Sequence, residues 1–169
     1  MILMALAGCQ SKKSKLADAI SKLEKEIASD SLHQFVSSHA GELVELYSEY
    51  AKQFPNDSVA AEYLFRSGDL LQGMGRHGDA IQAYLKCSRI ESYSKKEVAF
   101  FLVGFIYENS LNDLVNARSY YAELLTRYPN HKLANDVRFS LENLGKTPEE
   151  LIRLFEQSDS LQAPADSAS

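Results

Sequence analysis

The chain has 169 residues, of which 24% are charged, no tryptophan, and a formal net charge of −5 at pH 7. That length suits one core-bearing domain, and the acidic balance argues against nucleic acid as a main partner, because phosphate binding needs clustered Lys and Arg. Its two cysteines do not make a disulfide framework.

Met1 to Gly8 is apolar, Leu6-Ala7-Gly8-Cys9 closes that stretch, and Gln10 to Ser14 turns abruptly polar. The arrangement resembles the lipobox of bacterial lipoproteins, in which the signal peptide is cut before a cysteine that is then lipidated. It implies a membrane anchor on Cys9, since each buried methylene of an acyl chain contributes about 0.8 kcal/mol. Gln10 in place of Asp implies passage to the outer membrane. A full secretory signal has a basic start and a longer apolar run. Here eight residues precede Cys9 and none is Lys or Arg, so the reading expects a start further upstream or a fragment. The alternative is a soluble cytoplasmic protein that begins at Met1 or Met4. No stretch offers the ~20 apolar residues of a membrane-spanning helix.

Lys15 to Ser29 reads as a helix, because Leu16, Ile20, Leu23 and Ile27 form one stripe. Lys22, Glu24, Lys25 and Glu26 fall on its solvated faces. Asp30 to His39 is a polar connector with tie-downs at Leu32, Phe35 and Val36. A second helix is expected over about 40–54. Pro55 ends it, since proline cannot continue a helix and restricts the residue before it.

Asp57-Ser58 is the expected cap of the next helix. Two longer copies of one pattern follow. The first reads Leu64, Ser67, Gly68, Leu71, Ala80, Tyr84, Ser92, and the second Phe100, Val103, Gly104, Tyr107, Ala117, Tyr121, Pro129. The second has one extra residue between its glycine and its alanine. Leu43-x3-Tyr47 matches the Ala-x3-Tyr part, so the first two helices look like a degenerate opening copy. Pro55 and Pro129 lie 74 residues apart, twice 37, which puts the middle turn at Ser92. Gly68 and Gly104 allow close helix approach. Ala80 and Ala117 are expected to face them, with Tyr84 and Tyr121 filling the wider gap beside each pair. The order of residue types resembles the tetratricopeptide repeat, a helical hairpin of about 34 residues.

Gly73 to Asp79 is the turn inside the first full hairpin, with His77 expected to be exposed. Gly73-x-Gly75-x-x-Gly78 spells a dinucleotide pattern, but it lies between helices rather than after a strand and is rejected. Cys87 reads as a buried core thiol. His33, His39, His77 and His131 have no metal-binding spacing, and no nucleophile elbow is present. No enzyme, cofactor or metal is therefore expected. Leu133, Val137, Leu141 and Leu144 form another stripe, which Gly145 stops. Thr147-Pro148-Glu149-Glu150 opens a last helix, and the Ser-, Ala- and Asp-rich residues 158–169 are expected to be disordered.

The expected fold is all-α, a short right-handed α-solenoid of three to four hairpins and eight helices. Its parts are a signal remnant (1–9), a degenerate helix pair (10–57), two repeats (58–130), a capping hairpin (131–157) and the tail. The whole, from Cys9 to Phe155, is similar to bacterial tetratricopeptide lipoproteins and periplasmic repeat proteins of the Tol–Pal coordinator type. It is more distantly similar to the lipoprotein of the barrel-assembly machine. Gly104-Phe105-Ile106-Tyr107-Glu108-Asn109 looks like the version in lipoproteins of the Bacteroides group. The resemblance implies a periplasm-facing adaptor that binds other proteins. A non-catalytic subunit of an enzyme complex is a further alternative.

In stacked hairpins the first helix of each lines the inner surface. Those positions are Glu62, Phe65, Arg66, Asp69 and Gln72, then Phe101, Phe105 and Glu108, and in the third copy Arg138 and Glu142. Phe101 and Phe105 share a face. They read either as aromatic anchors of a peptide groove or as rings packed under a neighbouring helix. The clustered cations that clamp a peptide carboxylate are absent.

Overall fold

The computed structural model describes residues 2–29 and 36–162. The helices are α1 (Ile2–Ser29), α2 (Val36–Gln53), α3 (Ala60–Gly73), α4 (His77–Ser88), α5 (Lys96–Asn109), α6 (Leu114–Arg127), α7 (Ala134–Asn143) and α8 (Pro148–Gln162). No strand occurs among the described residues. The tie-downs expected at Leu32 and Phe35, and residues 163–169, lie outside them, as do the side chains of Cys9 and Val36.

Helices pack in chain order, α1 on α2 and so on to α6 on α7. The core is accordingly a relay of three clusters. Ile20, Leu23, Leu43, Tyr47 and Tyr50 join the first helices. Leu71, Ile81, Tyr84, Cys87, Val103 and Ile106 fill the middle. Phe100, Tyr121, Leu124 and Val137 hold the last part. Each cluster shares a helix with the next, as expected for a quasi-one-dimensional array.

Two helices are longer than their apolar stripes suggest. α1 starts at Ile2 rather than Lys15, and α2 at Val36 rather than Ala40. α8 continues to Gln162, into the stretch expected to be disordered.

The turns between hairpins repeat one hydrogen-bond pattern. The amides of Asp57, Tyr93 and His131 donate to the carbonyls of Phe54, Ile90 and Tyr128, at 2.9, 2.9 and 3.1 Å. Three residues later Ala60, Lys96 and Ala134 donate back to Asp57, Tyr93 and His131. Glu91, not Ser92, therefore stands where Pro55 and Pro129 stand, and the two steps are 36 and 38 residues rather than 37 each. The proline count hid this because it fixed only the sum. Asp57 does not cap α3 in the usual way. Val59 precedes that helix without a side-chain cap, while the Asp57 carboxylate accepts the Val59 amide at 2.9 Å.

Within hairpins, the α3–α4 loop is residues 74–76 and the α5–α6 loop residues 110–113, which places the extra residue of the second copy there. Gly75 (φ 73°) and Asn112 (φ 50°) occupy the same left-handed position, five residues before Ala80 and Ala117. Glycine and asparagine are the residues that tolerate it. Asp113 then caps α6, accepting the Asn116 amide at 3.0 Å. His77 does not lie in the turn but opens α4, and its Nδ1 is buried without a partner.

Thr147 and Glu150 form a reciprocal capping box at α8. The Glu150 amide donates to Thr147 Oγ1 at 3.2 Å, and the Thr147 amide to Glu150 Oε2 at 2.8 Å. Gly145 (φ 84°) precedes it in the left-handed region. α8 makes no extensive contact with another helix among the described residues. Exposed Glu142 stands in α7 where α3 and α5 have glycine, so the close crossing is missing there.

Candidate binding surface

The sequence expects an alanine across from each glycine; in the structure the side chain nearest each glycine is a tyrosine. A Cβ on Gly68 would lie 2.6–2.8 Å from the Tyr84 ring, and one on Gly104 2.7 Å from the Tyr121 ring. Both rings are buried, at 0% and 1% exposure. They lie against the preceding helix in space that any side chain would fill. Ala80 and Ala117 are fully buried beside them.

A buried phenol needs a hydrogen-bond partner, and each tyrosine finds a carboxylate on the inner surface. Tyr84 Oη donates to Asp69 Oδ1 at 2.6 Å and Tyr121 Oη to Glu108 Oε2 at 2.7 Å. Tyr47 does the same to Glu24 Oε1 at 2.5 Å. Tyr47, Tyr84 and Tyr121 are spaced 37 residues apart, so one lock recurs three times along the array. Burial, then the neighbouring carboxylate, pushes the pKa of all three phenols up. Burial likewise raises Asp69, against the lowering effect of the Tyr84 hydroxyl.

The predicted inner-face residues do come together, though many are occupied by the protein itself. Glu62 accepts Lys95 Nζ at 3.0 Å, Tyr93 Oη at 2.9 Å and Arg66 Nε at 3.1 Å. Arg66 also reaches Glu24 at 2.7 Å. Burial tends to raise the Glu62 carboxyl, but the hydrogen bonds from Lys95, Tyr93 and Arg66 outweigh it and hold it below its usual value. Phe65 meets Tyr84 edge-on at 5.4 Å, and Lys95 lies over its ring at 5.1 Å. Glu24, expected on a solvated face, is instead part of this network. Nothing in the sequence reading singled out Tyr93 or Lys95. Their signal lies in the inter-repeat turn, where register is hardest to read.

One repeat later the surface is barer. Phe101 stacks on Tyr121 at 5.8 Å and is half-buried, while Phe105, 6.2 Å from Phe101, is 38% exposed. The two open readings are therefore divided between the two rings. Phe101 is largely packing, and Phe105 presents its ring to solvent. Gln72 lies 3.4 Å from Tyr84 Oη as a second partner. Arg138 is turned to Asn135 and the Pro129 carbonyl.

Cys87 is fully buried, and its Sγ lies 3.2 Å from the Tyr84 carbonyl. Burial pushes its pKa up to about 12, so the thiolate is suppressed at neutral pH. A cleft of about 530 Å³ opens between the α2–α3 and α4–α5 turns, lined by Pro55, Asp57, Glu62, Ile90 and Tyr93 among others. Among the described residues no group of three His, Cys, Asp or Glu is placed to hold a metal ion. No helix there is long and apolar enough to cross a membrane.

A row of helices joined by repeated glycine–tyrosine crossings, with an inner surface of carboxylates and rings, defines an all-α helical-repeat solenoid. Residues 61–93 and 98–131 each match a tetratricopeptide-repeat family model. The hairpins α3–α4 and α5–α6 thus have the pattern of tetratricopeptide repeats, which suggests protein–protein interaction. No curated protein and no solved structure matches the chain.

Proposed function

We propose that the chain is a lipid-anchored adaptor facing the periplasm at the bacterial outer membrane, where its repeats hold a protein or peptide during envelope assembly or maintenance. The observation that carries the binding part is the solvent-facing Phe105 ring beside Phe101 on the inner surface of the second repeat. An exposed ring on a rigid helix loses little entropy on contact and anchors a partner well. The anchor rests on Leu6-Ala7-Gly8-Cys9 and the polar switch after it, and the periplasmic address on Gln10. The reading calls for no cofactor and no catalytic residue.

Affinity capture from host membranes tests the binding part, with wild-type protein beside a Phe105→Ala variant. The expected result is a protein held by the wild type and lost by the variant while the melting temperature stays within a few degrees. Equal capture by both removes the groove. For the anchor, intact-mass spectrometry of protein from its host should show acyl chains on Cys9 that a Cys9→Ser protein lacks. An unmodified Cys9 in the mature protein overturns it.

A further inference from the structure

We propose that the inner face around Phe101, Phe105 and Glu108 takes a cationic segment of a partner protein, one that sets an Arg or Lys beside apolar residues. The inference rests on the groove reading above and goes further by naming the chemistry of the ligand.

The turn hydrogen bonds align Lys95 with Leu133, since both carbonyls accept the amide four residues on, from Ala99 and Val137. In the first repeat the chain supplies its own cation. Lys95 Nζ lies over the Phe65 ring at 5.1 Å and on the Glu62 carboxylate at 3.0 Å. Ring and carboxylate together make a favourable seat for a cation, through the ring quadrupole and a charge-assisted hydrogen bond.

In the second repeat the ring position is kept, while the carboxylate three residues before the ring and the cation are both gone. Phe101 stands at the position of Phe65, while Val98 and Leu102 replace Glu62 and Arg66. The carboxylate is now Glu108, whose Oε2 accepts the Tyr121 hydroxyl at 2.7 Å. Leu133 stands where Lys95 stood. Among the described residues neither Glu108 nor Asp69, one repeat earlier on the same face, has an ion-pair partner. The Tyr121 hydroxyl uses one lone pair of Glu108, and a carboxylate has about four. Exposed Phe105 lies one turn before Glu108 and beside Phe101. A partner's Arg or Lys placed over Phe105 and on Glu108, three residues apart as Glu62 and Phe65 are, would make the kind of contact that Lys95 makes internally. Its neighbouring apolar residues would cover Phe105. The net charge of −5 favours the same sign of ligand at longer range.

Selecting random 15-residue peptides displayed on phage against the immobilised full chain tests this, with Phe105→Asp protein as the counter-target. The expected result is a pool enriched in Arg or Lys next to Leu, Phe or Trp and depleted on the counter-target. Selected peptides should bind Glu108→Gln about tenfold more weakly, and lose affinity as salt rises. Gln still accepts the Tyr121 hydroxyl, so circular dichroism should show the fold unchanged. Asp69→Asn tests the neighbouring carboxylate in the same way. A pool without charge bias, or rich in Asp and Glu, yet lost on the counter-target overturns the cationic ligand and leaves the groove standing. A pool indifferent to Phe105→Asp overturns both. Cationic peptides that bind Glu108→Gln and wild type equally also overturn it, because their site lies elsewhere on an acidic chain.

Discussion

At the scale of single residues, the contact between Gly68 and the Tyr84 ring decides the sign of a substitution. Alanine is a better helix former than glycine by about 1 kcal/mol. At Gly41 in α2 a Cβ meets nothing within 4 Å, so Gly41→Ala should stabilise by about 0.5–1 kcal/mol. At Gly68 the same atom would sit 2.6 Å from a ring that is fully buried, hydrogen-bonded to Asp69 and packed on Phe65. Overpacking costs roughly 1–3 kcal/mol, so Gly68→Ala should destabilise. Urea midpoints for the two variants should move in opposite directions. Cys87 gives a second expectation. In a Cys9→Ser protein it should stay unmodified by a thiol reagent at pH 7.5 and react on unfolding. The spacing of glycine, alanine and tyrosine was legible in the sequence, but the pairing was not. Ala80 and Tyr84 recur with the same period, so periodicity cannot say which lies across from Gly68.

Among the elements, α8 is separable from the rest. It is started by its own capping box and makes no extensive contact with another helix among the described residues. Replacing a capping Thr by Ala costs about 0.5–2 kcal/mol. In Thr147→Ala that loss should stay local, with amide exchange in 148–154 faster and the global melting temperature unchanged. A drop in the global melt would mean that α8 is part of the cooperative core. The capping pattern was readable because it is a local signal of four residues. The inter-repeat turns were not, since the middle one lacks proline and places Tyr93 where the others have Asp57 and His131. A register taken from two prolines alone cannot locate the third turn.

Across the whole molecule, neighbour-only packing makes links between repeats count. Glu62 on α3 ties Lys95 and Tyr93, just before α5, to Arg66 and through it to Glu24 of α1. Because its folded-state carboxyl lies below the usual 4.5, its contribution is fully present above that pH and is lost as pH falls below it. Glu62→Gln should therefore be less stable than wild type at pH 7, with the gap closing below about pH 4.5, as read from urea midpoints across pH 3–7. Asp69 works in the opposite sense. Its raised carboxyl adds stability as it protonates and partly offsets the acid loss in both proteins. A constant gap would show that Glu62 does not act through its charge. The all-α architecture, with its eight helices among the described residues, was legible from stripes, glycines and prolines. The network on its inner surface was not, because its bonded partners lie up to 42 residues apart and share no period.

The recurring tyrosine–carboxylate pairs also give the protein an intrinsic optical signal. The chain has nine tyrosines and no tryptophan, so its near-ultraviolet emission comes from phenols alone. A phenol held against a carboxylate emits weakly, because the excited ring gives up its proton easily. Loosening of the array should therefore brighten the protein, and removing Tyr47, Tyr84 or Tyr121 singly would show which end loosens first.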